Sequence, residues 1–376
     1  MDTTTLIWVL GLSAALNLLL IILVLRSTAA SRRLRAEAAE LNHALEIETS
    51  VAGHAKPPHQ RLIAVVINVT KEDADEAVRL IHSACSRAGM PAPVVMASSA
   101  EDPGHVMARR ALEQGADVVI AAGGDGTVRA VAAELAGTDT ALGVLPMGTG
   151  NLFARNIGLP YSDLEACVDE AIHGMGRRVD TLDLTLFRAD GSSDEETSLV
   201  IAGGGLDAEV MSDTREALKQ RAGWLAYGEA GLRHVTGRPR SITVTLDDGD
   251  PKTYRVRSVL MANCGSLQAG MVLVPSARFD DGKLDAVLFS PRHVVDWAKI
   301  ITKTITRFKT EIPVMKVRQA ERTLVSMAEP MPFQIDGDAV GEVVRVRTTV
   351  RPASLVVNGV STAHASQDAV ATITEA

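Results

Sequence analysis

The sequence predicts an α/β domain with a parallel sheet, followed by an antiparallel β-rich part and preceded by a single transmembrane helix. Three observations carry this. Strand-length apolar runs alternate with helical stretches from Arg61 to about residue 183. Short β-branched runs separated by turn residues fill 184–351. An uncharged run, "LIWVLGLSAALNLLLIILVL", spans Leu6–Leu25, long enough as a helix to cross roughly 30 Å of hydrocarbon.

In chain order, Asp2 lies before that run, and Arg26, Arg32, Arg33 and Arg35 follow it. This charge asymmetry places the remainder of the chain in the cytoplasm by the positive-inside rule. A cleavable signal peptide has its basic region before the apolar core. Residues 1–28 are therefore read as an uncleaved, single-pass membrane anchor. Residues 29–60 form a polar-faced helix and a linker broken at Pro57 and Pro58.

The folded body begins at "RLIAVVINV", a run of strand length rich in β-branched residues, as expected of a strand buried on both faces. The helix "ADEAVRLIHSACSRAGM", the strand "PVVMAS" and the helix "DPGHVMARRALEQG" follow, the last closed by Gly115. "ADVVIAA" and "TALGVLP" are two further strands, each running into a glycine-rich turn and then a helix. Beyond residue 184 the strand candidates are "TLDLTLFR", "SLVIAGG", "SITVTLDD", "TYRVRSVLMANC", "KLDAVLFS", "VRVRTTVRP" and "SLVVNGV". In residues 292–309, Val294, Trp297, Ile301, Ile305 and Phe308 share one helical face opposite Lys299, Lys303 and Arg307. Such a helix lies in a lipid interface or packs its stripe on the β-rich part. The stretch around Trp224 and Tyr227 reads the same two ways.

With 46% hydrophobic residues and 22% charged, the chain has apolar material for a sizeable core. A formal net charge of −8 excludes nucleic acid as a general partner. Three widely spaced cysteines, Cys85, Cys167 and Cys264, offer neither a disulfide framework nor metal spacing.

The two glycine turns carry the chemistry. In "GGDGT", Gly123, Gly124 and Gly126 would let phosphate oxygens approach the main chain, and the following helix N-terminus favours anions. Thr127 would cap that helix or donate to a phosphate. Asp125 suits such a place if it binds Mg²⁺ or orders the loop. In "GTGN", Gly148 and Gly150 permit the same approach, with Thr149 and Asn151 as polar contacts. Both turns stand at carboxyl ends of parallel strands, where open α/β sheets bind ligands. Neither is a Walker A loop or a dinucleotide fingerprint. A tight strand–helix turn without ligand is the plain alternative.

"GGDGT" at Gly123–Thr127 and "PMGTGNLFARNIGLP" at Pro146–Pro160 resemble the diacylglycerol kinase catalytic family of lipid kinases, which includes sphingosine and ceramide kinases. The resemblance covers roughly residues 61–360. "VINVTK" is similar to the family's first-strand motif, so Asn68 and Thr70 would contact nucleotide, although Val69 replaces the usual proline. "VLMANCGSLQAGMVLVPSARFDDGKLDAVLFS" resembles the segment with Asn263, Pro275 and Asp281. Bacterial members hold a structural Mg²⁺ there, and Asp281 is the matching residue; "DDG" is equally a turn sequence. Where the family has Asp-Gly-Glu, this chain has Asp336-Gly337-Asp338. The resemblance makes this acidic pair the source of the general base, and Asp-Gly between apolar residues is also a hairpin signal.

The resemblance further implies that 184–351 is a β-sandwich, that ATP and a lipid headgroup lie in its cleft with 61–183, and that residues 352–376 return to the first domain. The implied activity is transfer of the ATP γ-phosphate to the hydroxyl of a membrane lipid, with Mg²⁺ as cofactor and diacylglycerol as first substrate. Sphingoid bases, ceramide and phosphatidylglycerol are other acceptors. An NAD kinase-like enzyme and a catalytically weak nucleotide- or lipid-binding regulator remain rival readings. Free β-edges allow a homodimer.

Overall fold

A computed structural model describes residues 57–205, 239–267, 272–291, 296, 300 and 312–361. The apolar run Leu6–Leu25, the juxtamembrane helix, the stretch around Trp224, nearly all of 292–309 and the tail from residue 362 lie outside the described residues. Among the described residues no helix is long and apolar enough to cross a membrane.

The parallel part is built from β1 (Ile63–Ile67), β2 (Val94–Ala97), β3 (Val118–Gly123) and β4 (Ala141–Pro146). β1 pairs with β2 and β3, and β3 with β4, all in parallel. Every residue of β1 and β3 is buried, which explains why these strands are unbroken apolar runs: helices cover both faces of a parallel sheet. The helices are α1 (Ala74–Arg87), α2 (His105–Glu113), α3 (Asp125–Leu135), α4 (Leu152–Asn156) and α5 (Leu164–His173). Asp163 caps α5 by accepting from the Ala166 N–H at 3.0 Å.

The antiparallel part comprises β5 (Gly176–Phe187), β6 (Ser193–Ser198), β7 (Ile201–Gly205), β8 (Arg240–Leu246), β9 (Lys252–Val256), β10 (Ser258–Ala262), β11 (Leu284–Phe289), β12 (Met315–Ala320), β13 (Arg322–Ile335) and β14 (Asp338–Asn358). Its strands are not a sheet of their own. A continuous hydrogen-bonded path runs β12-β11-β10-β7-β13-β14-β4-β3-β1-β2, with β5, β6, β8 and β9 branching from it. β14 makes this possible. Its first part pairs antiparallel with β13 and β5, and Val356 and Val357 pair in parallel with Ala141 and Leu142 of β4. The two expected strands "VRVRTTVRP" and "SLVVNGV" are thus one 21-residue strand, interrupted by a register shift between Arg351 and Leu355.

Two hydrophobic cores follow from this arrangement. One spreads from Val119, Leu142 and Val131 to Leu199, Ile201 and Leu260. The other fills the space between antiparallel strands with Leu184, Val244, Met261, Leu288, Phe333 and Val346. Alternate residues of β5, Leu182, Leu184 and Leu186, feed the second core, as the period-2 geometry of a strand requires.

Candidate active site

The first turn joins β3 to α3. Gly124, not Thr127, holds the cap position of α3, and it has no side chain to bond with. Thr127 is instead buried, and its side chain fills the space over Gly123, where an added Cβ would lie 2.5 Å from Oγ1. The Thr127 N–H turns back to the Gly124 carbonyl at 3.0 Å, and the N–H groups of Asp125 and Gly126 stand at a helix N-terminus, a place that favours anions.

The second turn leaves β4 and packs directly on the first. A Cβ on Gly148 would come within 2.9 Å of the Gly124 Cα, so the bare Cα of Gly148 permits a backbone-to-backbone approach. Asn151 adopts a left-handed conformation (φ 48°). Its side chain clasps the turn, Oδ1 accepting from the Gly148 N–H at 3.0 Å and Nδ2 donating to the Gly148 carbonyl at 2.9 Å. Thr149 is exposed at the tip. Arg155 donates through Nε to the Gly150 carbonyl at 2.8 Å and stacks on Tyr161.

Asp125 ties the two turns together, accepting the Leu152 N–H through Oδ1 at 2.6 Å. Burial pushes its carboxyl up to about 6; the Leu152 and Asn151 N–H groups oppose the shift, and the charges of Asp336 and Asp338 add to it. Asn68, at the end of β1, donates its N–H to the Ala122 carbonyl and accepts from both the N–H and the hydroxyl of Thr70. This Asx turn sets Asn68 and Thr70 at the same sheet edge as the glycine turns.

β13 and β14 meet in a hairpin whose closing pair is Ile335 and Asp338, with Asp336 and Gly337 as its two loop residues. Both have positive φ, 49° and 91°, the signature of a type I′ turn. The two acids do different work. Asp336 is buried, and four donors surround its carboxylate: the Ser198 hydroxyl at 2.7 Å and the N–H groups of Leu199, Val200 and Ile201 at 2.9 Å. Asp338 is partly exposed, and its Oδ2 would lie 3.1 Å from a Cβ on Gly126. The room that Gly126 leaves is therefore shared with this carboxylate. Arg129, one helical turn beyond Asp125, donates to Asp338 Oδ2 at 3.2 Å and to the Ile335 carbonyl at 3.3 Å. Sequence reasoning missed Arg129; its i+4 spacing from Asp125 is the one local signal.

Asp281 falls in a different acidic cluster, with Asp180, Asp280 and Asp285. Asp180 accepts the N–H groups of Gly282 and Ala353, both at 2.7 Å, while Asp281 Oδ1 accepts from the Lys283 N–H at 3.0 Å. Asp280 is ion-paired to Arg177 and Arg278. Burial raises Asp180 above the ordinary carboxyl range and pushes Asp285 up to about 6, with Asp281 adding in both cases. Among the described residues no group of three or more His, Cys, Asp or Glu side chains forms a ready metal site. The fully buried Asn263, donating to the Asp180 and Leu199 carbonyls at 3.0 and 2.9 Å, links this cluster to the loop that encloses Asp336.

Comparison with known proteins agrees with this layout. The family model "Diacylglycerol kinase catalytic domain" matches residues 62–184, and "YegS C-terminal NAD kinase beta sandwich-like domain" matches 200–359. A diacylglycerol kinase of Mycobacterium tuberculosis is 30% identical over 216 residues, covering 56% of this chain and 68% of the relative. One from Bacillus subtilis is 28% identical over 255 residues, 67% of this chain and 80% of the relative. The crystal structure of a putative diacylglycerol kinase from Bacillus anthracis superposes with a TM-score of 0.65 at 18% identity, over 82% of this chain and 98% of that one. The fold is accordingly that of these enzymes, a parallel α/β part and a β-rich part in one mixed sheet. On sequence and fold together, the chain belongs to the diacylglycerol kinase family and is a kinase.

Proposed function

We propose that the chain transfers the γ-phosphate of Mg²⁺-ATP to the hydroxyl of a membrane lipid, with diacylglycerol as acceptor and phosphatidic acid as product. The observation that carries this reading is the placement of Asp338 over Gly126, where a proton acceptor borders the turn assigned to phosphate. The main-chain N–H groups of the two turns, with Asn68, Thr70, Thr149 and Asn151, would bind the nucleotide. Asp125 is a hard oxygen donor of the kind Mg²⁺ takes, and an ion held there would neutralise phosphate charge; Asp281, in its separate acidic cluster, would hold a structural Mg²⁺.

Asp338, not Asp336, is the general base in this reading. Four donors already engage the Asp336 carboxylate, whereas Asp338 is 30% exposed. Asp338 takes the proton of the lipid hydroxyl, the lipid oxygen bonds to the γ-phosphorus, and the bond from that phosphorus to the β–γ bridging oxygen breaks, releasing ADP. Such transfer depends mainly on positioning and charge neutralisation. The run Leu6–Leu25 would hold the enzyme at its substrate surface.

The test is a radiolabelled phosphate-transfer assay with dioleoylglycerol, sphingosine, ceramide and phosphatidylglycerol presented in parallel micelles, and NAD as a soluble control. Label in dioleoylglycerol, lost in Asp125→Asn, is the expected result. Label in NAD alone, or in no acceptor while ATP still binds, would overturn the reading.

A further inference from the structure

We propose that Arg129 is a positioning residue for the phosphoryl-transfer step, fixing the carboxylate of Asp338 where it meets the lipid hydroxyl. The inference rests on the reading of Asp338 as the proton acceptor.

The geometry is that of a clamp. The guanidinium of Arg129 spans the closing pair of the β13–β14 hairpin: Nη1 donates to the Ile335 carbonyl and Nη2 to Asp338 Oδ2. Its base is rigid, because Arg129 stands on α3 between the buried residues Val128 and Ala130. The Arg129 side chain is only 16% exposed, which limits solvent screening of the pair. The oxygen that Arg129 engages is also the one lying over Gly126. Helix α3, which opens at the first glycine turn, thus sets the position of a carboxylate contributed by a strand more than two hundred residues later.

The chemistry calls for such a device. An aspartate reaches one methylene less far than a glutamate, so little movement of its backbone can be tolerated within a hydrogen-bond reach of about 2.6–3.2 Å. Asp338 also stands near Asp125, whose carboxyl is pushed up by burial and then by the charges of Asp336 and Asp338. A guanidinium at its Oδ2 offsets that repulsion. The planar fork holds a carbonyl and a carboxylate at once; an ammonium supplies the charge with less directional control.

The experiment uses the full chain with Mg²⁺-ATP and dioleoylglycerol micelles, comparing Arg129→Met, Arg129→Lys, Asp338→Asn and the double variant Arg129→Met/Asp338→Asn. A positioning role predicts that Arg129→Met lowers kcat about 30-fold with KM for ATP within about twofold. Arg129→Lys, which keeps charge and helix and reports even if the methionine variant unfolds, should recover to within about fivefold of the parent. In the Asp338→Asn background, Arg129→Met should cost less than about twofold more, since the group it positions is gone. A raised KM with kcat intact, Arg129→Lys no better than Arg129→Met, or single losses that multiply in the double variant would overturn the inference. Full activity in Asp338→Asn would overturn the proton-acceptor reading itself, and this inference with it. Loss in Asp338→Asn with multiplying losses would overturn only the role of Arg129.

Discussion

Asp125 accepts the main-chain N–H of Leu152 at 2.6 Å, so the acid of the first glycine turn caps the start of the helix that follows the second. One carboxylate oxygen holds the two turns in register, and the proposed metal contact draws on the same group. Fold and function at this residue separate cleanly by substitution. Asp125→Asn keeps an acceptor for Leu152 and should retain the parent melting temperature within a few degrees, while lipid phosphorylation falls at least about 100-fold. Asp125→Ala removes the acceptor as well and should cost about 1 kcal/mol more in chemical denaturation. Equal stability of the two variants would show that the bond to Leu152 contributes nothing.

Gly148→Ala tests the contact between the turns. The added methyl would meet the Gly124 Cα at 2.9 Å and Asn151 Oδ1 at 3.0 Å, and a backbone neighbour cannot rotate away. We expect a loss of about 1–3 kcal/mol in stability and weakened ATP binding by calorimetry. An alanine variant binding ATP with the parent's affinity would mean that the spacing of the turns does not shape the nucleotide site.

The two hairpin acids should respond oppositely. Asp336→Asn confronts three main-chain N–H groups and a hydroxyl with an amide that has one acceptor oxygen. Oδ1 alone takes three of the four donors, so the amide leaves the buried Leu199 N–H unsatisfied, and this variant should lose about 1–3 kcal/mol in urea titration. Asp338→Asn should melt near the parent and lose turnover. If Asp336→Asn proves stable and merely inactive, the structural role given to Asp336 fails.

Asp285 makes stability depend on pH. Burial raises its folded-state pKa from 3.8 to about 6, so between those values the folded chain holds a proton that the unfolded chain releases. Stability from this group is present below about pH 4 and is lost as pH rises through 6. Without added metal, Asp285→Asn should therefore gain on the parent as pH rises from 4 to 7, read as a widening difference in melting temperature. A constant difference would refute the sign.

Much of this was legible in the sequence, and the exceptions share a cause. β1, β3 and β4 announce themselves because burial on both faces demands continuous apolar runs. The glycine turns and Asp336-Gly337 were visible because positive φ and close backbone approach restrict residue choice. β13 was missed: Glu329, Pro330 and Pro332 break its pattern where its pairing with β14 shifts register between Ser326 and Met331. β6, largely exposed and acidic, carries no core stripe to betray it. β12 also escaped, its exposed Lys316, Arg318 and Gln319 giving it the look of a surface loop. Asp180 and Arg129 depend on partners far along the chain, and local pattern is silent about such contacts.

The long strand β14 also bears on how the chain is made. The outer edge of β4 is closed by Val356 and Val357, so the parallel layer, though composed of the earlier residues, waits for the last strand before its hydrogen-bonding is complete. During synthesis that edge stays bare while the entire antiparallel part emerges from the ribosome. A nascent chain arrested before residue 355 would present an unpaired strand edge to its neighbours, a template for aggregation. Completion of the parallel layer is thereby coupled to translation of β14.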